Sequence, residues 1–470
     1  MQKIVERLAL LVTRFPTLVA PLEHFLRTVA DTADTPASLV DAEEQVVAAA
    51  DGLAIAGLGL ALLAHEPSAD LVEVGGRQYR RMREPGVGTY FGLRGPTKIT
   101  RHLYREVGVR NGPTVVPVDL RAGIVDGRWT PLAAAAAGHL LQDEPSRDAV
   151  KTCEALRVMP YSRCSLDRGG NSLGARWEEI RPEAEDKLAA DFVVPTEATT
   201  VSASFDRVTV PMEEALLDED GGAVLDGDGK PRVQVVYRMA FCGVWTLYDA
   251  EGEPLHSVRY GRMAAEGHRP IEEAMWGDLE ALKIARPDLR LVGLADGAPE
   301  MQYMLDRTVG IFGGDVEIAI DFWHVVEKVS DAVKATGRET SYWTPRLKAI
   351  LRHQDRGPEQ ILIHLRSWAA ELHDEKVPQA LTDAITYLDR NADRMRYKRL
   401  RDKGLPIGSG HVEATCKTLV STRMKRCGAR WKNDGGQAVL SLRALAKSSR
   451  WDPAMAIILP TWVSPVREVA

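Results

Sequence analysis

The stretch Thr199-Thr-Val-Ser-Ala-Ser-Phe-Asp206-Arg-Val-Thr-Val210 decides the fold. Its small and β-branched residues predict a strand. One carboxylate, Asp206, stands among them, and a charge in such a place is costly unless it is paired or used. The Arg207 side chain cannot simply be its partner, because neighbours on a strand point to opposite faces.

Downstream, residues 213–232 are acidic and Gly-rich and predict an exposed loop. Val233–Tyr248 and Pro254–Tyr260 predict two further strands. Pro270–Ile284 predicts a helix, with Ile271, Ala274, Met275, Leu279 and Leu282 on one face. Leu289–Ala295 is a short apolar run ending in Asp296-Gly297, as a buried strand does, and Val316–Ile320 is another, ending in Asp321. Residues 322–403 are helical in pattern, and 404–450 opens with Gly404-Leu-Pro-Ile-Gly-Ser-Gly410 and continues as basic helices. Hairpin strands first and βα units later predict an α/β fold with a mixed sheet and helices on its faces. Ribonuclease-H-like domains have this order, and strand counting alone does not separate them from other α/β folds.

Upstream, residues 1–70 predict helices, with Ile4, Leu8, Leu11 and Val12 on one face and a further helix opening at Thr35-Pro36. Glu6, Arg7 and Arg14 interrupt the N-terminal apolar residues, unlike a signal peptide. The apolar run Leu53–Ala64 is short of the roughly 20 residues a membrane span needs. It predicts a buried helix packed through its small residues. Residues 71–110 hold nine Lys/Arg against three Glu, interleaved with Tyr79, Tyr90, Phe91 and Tyr104. Gly75-Gly76 and Pro85-Gly86 punctuate them, so β-hairpins are expected. Helical patterns resume after Thr130-Pro131 and run to about Ala190.

The 470 residues are 45% hydrophobic, which excludes wholesale disorder and gives room for several domains. Their net charge of −6 argues against a uniformly basic nucleic-acid coat. The sum hides unlike parts: residues 71–110 carry +6 and residues 394–432 carry +10. Five scattered cysteines with no CxxC pair argue against a disulfide framework or a zinc knuckle, and fit a reducing cytoplasm.

Three acids occupy informative places. Asp206 is inside a strand, Asp296 closes one, and Glu413 opens the helix after Gly408-Ser-Gly410. Carboxylates so placed can converge from distant parts of a chain. Hard cations such as Mg²⁺ are held by a few carboxylates with water and phosphate. Two such ions clamp the attacking and leaving oxygens of a phosphodiester. Each acid also has a plainer reading: a turn residue for Asp296, a paired strand charge for Asp206, and a helical ion pair with Lys417 for Glu413.

Four segments, Asp296-Gly-Ala-Pro-Glu300, Asp321-Phe-Trp-His324, Gly408-Ser-Gly-His-Val-Glu-Ala-Thr-Cys-Lys417 and Arg423-Met-Lys-Arg-Cys-Gly-Ala-Arg-Trp431, resemble bacterial insertion-sequence transposases of the ISKra group, relatives of the Mutator-like enzymes with a DDE triad. The resemblance spans about residues 199–452 and reaches weakly back to 71. It implies a ribonuclease-H-like catalytic domain interrupted by an all-helical insertion. It also implies a DDE triad of Asp206, Asp296 and Glu413 holding two Mg²⁺ ions, with Mn²⁺ able to substitute. Asp321 and His324 match the family's (Cys/Asp)-x-x-His signature, and His324 would point to the active centre to bond a phosphate or orient a carboxylate. Arg207 stands where many DDE enzymes have glycine. The Cys-rich N-terminal element of some relatives has no counterpart, so no zinc site is carried over.

The organisation expected on this basis is an N-terminal helical region (1–70), a DNA-binding region (71–195), the first part of the catalytic domain (196–330), a helical insertion (331–403) and its last part with basic helices (404–470). The expected partner is double-stranded DNA, as terminal inverted repeats and target. Phosphate contacts are expected from Lys417, Arg423, Lys425, Arg426 and Arg430, and base stacking from Trp431. The second DNA candidate is the 71–110 segment, through Arg77, Arg80, Arg81, Lys98 and Arg101. Residues 144–180, with Arg147, Lys151, Arg157, Arg163, Arg168 and Arg176, suggest a helix-turn-helix. A homodimer or larger assembly is implied because two transposon ends must be brought together; neither a membrane nor a small-molecule cofactor is. A catalytically silent DNA-binding descendant and a ribonuclease-H-fold nuclease or resolvase are the alternatives.

Overall fold

The computed structural model describes residues 9, 13–34, 38–312, 316–372 and 376–469. The apolar face expected from Ile4, Leu8, Leu11 and Val12, and the helix opening at Thr35-Pro36, lie outside these residues. The chain divides into two compact units, residues 1–179 with 455–470, and residues 180–454.

The first unit opens with helices α1 (Val19–Asp34) and α2 (Leu39–Leu63). Strands β1 (Leu71–Val74), β2 (Arg77–Arg81), β3 (Gly86–Phe91), β4 (Pro96–Arg101), β5 (Tyr104–Glu106) and β6 (Thr114–Val115) follow, as the turn signals predict. β3 and β4 form a hairpin, while β1, β2, β5 and β6 join a five-stranded sheet. Its outer strand is Arg467–Val469 from the far end of the chain, paired antiparallel with β1. Helices α3 (Pro117–Ala122), α4 (Pro131–Asp143), α5 (Ser146–Ala155) and α6 (Arg163–Ala190) complete the region. Phe91, Trp129 and Tyr161 make an aromatic cluster with centroids 4.3–5.2 Å apart.

Helix α2 corrects one expectation. The run Leu53–Ala64 belongs to a longer helix that is largely uncovered, with Ala49, Gly59 and Leu62 its buried residues. One flank lies on the β3–β4 hairpin: Thr97 Oγ1 donates to the Ile55 carbonyl at 3.0 Å, and Asp51 sits 3.5 Å from Arg94. By length and composition α2 could cross a membrane (mean hydropathy 2.1, 17% buried over its most apolar window). The twelve-residue run understated it because alanines and valines upstream extend the same helix.

The second unit is built on β7 (Thr200–Ala215), β8 (Val233–Tyr248), β9 (Pro254–Arg262), α7 (Arg269–Ala285), β10 (Arg290–Ala295), α8 (Pro299–Thr308) and β11 (Glu317–Ile320). The strand order is β11-β10-β7-β8-β9. β7, β8 and β9 pair antiparallel, while β10 runs parallel to both β7 and β11. Alternation along β7 divides its side chains. Val201, Ala203 and Phe205 enter one core with Ile271, Met275, Leu279 and Leu282 of α7. Val208, Val210 and Met212 pack on the other face with Cys242, Cys416, Leu419 and Leu440. Asp206 shares this second parity.

Strand β10 is buried on both sides, as its unbroken apolar run requires. Leu291 and Ala295 face α7 and α8, while Val292 and Leu294 face a helical block. That block is α9 (Phe322–Ala335), α10 (Thr340–His353), α11 (Gly357–Glu371), α12 (Gln379–Asn391) and α13 (Tyr397–Asp402). Val325, Leu347, Ile361, Leu388 and Tyr397 form one core with Val292, Leu294 and Ile320 of the sheet. Each fully buried aliphatic side chain there contributes about 1.5–3 kcal/mol, so the block is fastened to the sheet through shared packing. The chain then continues through α14 (Gly410–Thr415), a π-helical segment (Cys416–Ser421), α15 (Thr422–Met424), α16 (Asn433–Lys447) and α17 (Trp451–Ile458).

Candidate active site

Asp206 lies directly opposite Cys242 in the β7–β8 ladder. Its Oδ1 accepts the backbone N–H of Arg207 at 2.6 Å, and its Oδ2 accepts the Cys416 thiol at 3.3 Å. The Arg207 side chain goes the other way, to Glu300 on α8. Parity therefore separates the two charges, and the backbone of Arg207 supplies what its side chain cannot. Burial raises the Asp206 carboxyl above its ordinary range, and the charge of Asp296 raises it further. The Cys416 thiol is pushed far up by its hydrogen bond with Cys242 and by burial, so it keeps the proton that it donates.

Asp296 follows the last residue of β10. Its Oδ1 accepts the Ala298 N–H at 2.8 Å, the turn bond expected of Asp before Gly. Its carbonyl accepts the Tyr387 hydroxyl at 2.7 Å. Gly297 has φ +86°, and a Cβ there would meet the Tyr387 hydroxyl at 2.5 Å, so the turn needs glycine on both counts.

Asp321 is fully buried and caps α9. Its Oδ1 accepts the His324 N–H at 2.9 Å, and its Oδ2 accepts the Ser409 N–H. The Phe322 N–H also donates to the Ile407 carbonyl at 2.9 Å. One carboxylate thus joins the end of β11 to the segment that precedes α14. His324, one turn into α9, places Nε2 3.4 Å from Glu413 Oε1 and Nδ1 3.8 Å from Glu327 Oε2. Glu413 on α14 is 54% exposed along its side chain. Three residues later Cys416 reaches Asp206, so the helix carrying Glu413 is tied to the β7 acid.

The π-helical turn after Cys416 leaves backbone carbonyls in need of donors. Arg443 of α16 is buried and supplies them: Nε donates to the Thr418 and Leu419 carbonyls at 2.9 Å each, and Nη2 to Thr422 Oγ1 at 2.9 Å. Sequence reasoning missed Arg443. An arginine inside an apolar helical stretch was its signal.

Among the described residues, no group of three or more His, Cys, Asp or Glu side chains is close enough to enclose a metal ion. Glu413 turns to His324, and one oxygen of Asp206 is taken by Cys416. The donor types nevertheless suit a hard cation. Asp206 and Asp296 are oxygen donors whose mutual repulsion a cation relieves, and Mg²⁺ commonly takes only one or two protein carboxylates and keeps its waters.

The expected DNA residues separate into two sorts. Lys417, Lys425, Arg426 and Arg430 are exposed. Arg423 is buried, its guanidinium 4.9 Å from the Trp431 ring centre. Trp431 is itself clasped: its Nε1 donates to the Met424 carbonyl at 3.0 Å, its N–H to the Pro211 carbonyl at 3.1 Å, and its carbonyl accepts the Glu213 N–H at 2.8 Å. Arg423 and Trp431 therefore fasten the tail to the end of β7, which corrects their expected roles in phosphate contact and stacking. In the first unit, Arg77, Arg80 and Lys98 are exposed. Arg81 is spent on Tyr104 Oη at 2.9 Å and the Pro67 and Ala69 carbonyls, and Arg101 on Tyr90 Oη at 2.6 Å. Tyr79, Tyr90 and Tyr104 are buried, so they are core residues, not stacking platforms. Helices α5 and α6 are separated by residues 156–162, longer than the three or four residues of a helix-turn-helix. An exposed aromatic does lie beside the acids. Trp323 is 52% exposed, with Lys348 Nζ 4.1 Å from its ring centre, and it packs on Gly408.

No family model and no curated protein matches the chain. Among solved structures, a pre-cleavage Mos1 transpososome is 14% identical over 57% of this chain and 78% of that chain, with a TM-score of 0.12. A likeness that slight carries no argument about this chain.

Proposed function

We propose that this protein is a DNA transposase of the ISKra kind, with a ribonuclease-H-like catalytic domain in its second unit and a metal-dependent DDE triad of Asp206, Asp296 and Glu413. One observation carries the reading. Acids 90 and 117 residues apart in sequence stand around one sheet: Asp206 is tied to α14 through Cys416, Glu413 to α9 through His324, and Asp296 is near enough to Asp206 for its charge to raise that carboxyl. The sheet order, with three antiparallel strands and two parallel ones beyond them, supports the ribonuclease-H-like assignment. The helical block before Glu413 accounts for the second, longer interval.

Asp206, Asp296 and Glu413 would hold two Mg²⁺ ions, or Mn²⁺ in their place. When bound, such ions lower the pKa of a water and stabilise a departing 3′ oxygen. The protein's own groups do the arranging. The Cys416 thiol and the Arg207 N–H fix the two oxygens of Asp206. The Ala298 N–H fixes one oxygen of Asp296. His324 holds Glu413 and, half-exposed, can hand a hydrogen bond to a phosphate oxygen. Lys417, Lys425, Arg426 and Arg430 would meet the DNA backbone, and Trp323 replaces Trp431 as the aromatic available to a base. A homodimer or larger assembly would hold two ends together, in the cytoplasm on the nucleoid. The test is incubation with duplex DNA carrying the element's terminal repeats and Mg²⁺. Strand cleavage and joining are expected, and Asp206→Ala, Asp296→Ala or Glu413→Ala should abolish both. Full cleavage by any of the three variants would refute the triad. Repeat binding without cleavage by the wild type would instead favour a silent regulator.

A further inference from the structure

Strands β7 and β8 run on past the rest of their sheet. Strand β10 pairs with β7 as far as Ser204, and β9 meets β8 from Phe241 onward. Between Val233 and Ala240, β8 therefore pairs with β7 and with no other described strand. The two strands form an arm that ends in an acidic tip, residues 216–232. Alternation gives the arm two faces. On one, Val208, Val210 and Met212 are covered by Leu419, Val420 and Trp431. On the other, Val233, Val235, Tyr237 and Met239 stand in a row, 41–67% exposed. Their β7 partners on that face are Ala215, Glu213, Pro211 and Thr209. Exposed apolar rows of this kind mark contact surfaces. DNA does not suit this one. The tip carries Asp218, Glu219, Asp220, Asp226 and Asp228, all exposed, and these repel phosphate. The base of the same arm is basic. Lys425 Nζ reaches Thr209 Oγ1 at 3.1 Å, on the apolar row's own face beside Met239. Arg426 follows it in sequence, and Arg430 and Lys432 flank Trp431 along the β7 edge, all three exposed.

We propose that, in the absence of DNA, two copies of this chain pack these arms face to face, antiparallel about a two-fold axis. The arm is self-complementary in that arrangement, being apolar in its middle and oppositely charged at its ends. Val233 of one copy lies over Met239 of the other, Val235 over Tyr237, and each acidic tip reaches Lys425 and Arg426 of the other copy. Parallel packing would instead set tip against tip and base against base, with like charges together. The row from Val233 to Met239 is about 20 Å long, and two strands are about 10 Å wide. That area is well short of the roughly 800 Å² per partner of a tight complex, so a weak, micromolar dimer is expected. The charged ends tie it to the proposed function. Lys425 and Arg426 are proposed DNA-backbone contacts, and the acidic tip takes the place of phosphate on them. DNA and this dimer therefore exclude each other, so the contact stores DNA-free protein and is not the assembly that would hold two ends. The interface stands on the arm alone, while its competition with DNA rests on the DNA reading.

Sedimentation velocity on the full chain tests this. Wild-type protein should pass from monomer to dimer between about 1 and 100 µM. Tyr237→Asp and Val235→Asp, at exposed positions where folding is spared, should each weaken association about tenfold or more. Glu219→Lys with Asp220→Lys and Asp228→Lys should weaken it comparably. Adding Lys425→Glu and Arg426→Glu to that same chain should restore it, because the charges are then exchanged end for end. A short duplex DNA should dissociate the wild-type dimer. A monomer throughout the range, a dimer untouched by Tyr237→Asp and Val235→Asp, or no recovery in the charge-exchanged chain would overturn the proposal. A dimer lost in Tyr237→Asp yet indifferent to duplex DNA would keep the interface and count against the DNA role of Lys425 and Arg426.

Discussion

Replacing Arg443 with methionine removes the donors that hold the π-helical turn and keeps most of the apolar volume. The Leu419 carbonyl loses the Arg443 bond, while the Thr418 carbonyl and Thr422 Oγ1 lose theirs but stay bonded to each other at 2.9 Å. A buried acceptor left unmet costs about 1–3 kcal/mol, and bonds from a charged donor lie at the upper end of that range. The expected penalty is about 2–3 kcal/mol, a sizeable share of a typical 5–15 kcal/mol stability. It should fall first on the segment itself, because the neighbouring Leu419, Val420 and Leu440 stay packed. Hydrogen exchange read by mass spectrometry on peptides covering 411–425 is the assay. Since 1.4 kcal/mol is tenfold, Arg443→Met should raise local opening by about thirtyfold or more. Arg443→Lys, with one nitrogen in place of three, should fall between. Unchanged exchange in a folded Arg443→Met protein would show that another group holds the turn.

Other outcomes follow from the same contacts. Trp431→Phe should lose about 1–2 kcal/mol with the bond to the Met424 carbonyl, yet bind DNA within twofold of wild type, because the ring is a clasp. Alanine at Lys417, Lys425, Arg426 or Arg430 should each weaken DNA binding and reduce the salt slope by about 1, whereas a loss confined to Trp431→Phe would reverse that assignment. Burial pushes the Glu185 carboxyl up to about 7, against the opposing pull of Arg262 and Arg181. The folded protein therefore binds the proton more tightly than the unfolded chain, and stability should fall by about 3 kcal/mol as pH rises from about 4.5 through 7. Thermal unfolding at pH 5 and pH 8 checks this: Glu185→Gln should gain relative to wild type at the higher pH, and a constant difference would contradict it.

The sheet of the second unit was legible because its signals are local. Strand alternation separated Asp206 from the Arg207 side chain, and the apolar runs before Asp296 and Asp321 marked buried strands. The segment Asp321-Phe-Trp-His324 was legible as the end of an apolar run and as a (Cys/Asp)-x-x-His match, although the bond from Asp321 to Ser409 depends on a segment 88 residues away. What stayed hidden depends on distant pairing. Strand Arg467–Val469 exists only because β1 lies beside it. Arg423, Arg81 and Arg101 look like free cations in a charge count, yet each is placed against an aromatic ring or hydroxyl. The tyrosines interleaved with those charges likewise resemble stacking platforms until burial claims them.

The central claim is that Asp206, Asp296 and Glu413 act as one metal-holding set. Its most direct test is titration of the full chain with Mn²⁺, reading the free ion by electron paramagnetic resonance. Wild-type protein should bind the ion, Asp206→Asn and Asp296→Asn should each weaken binding at least tenfold, and Glu413→Gln should weaken it once DNA is added. Wild-type affinity in both aspartate variants, or no binding by the wild type at millimolar Mn²⁺, would contradict the account.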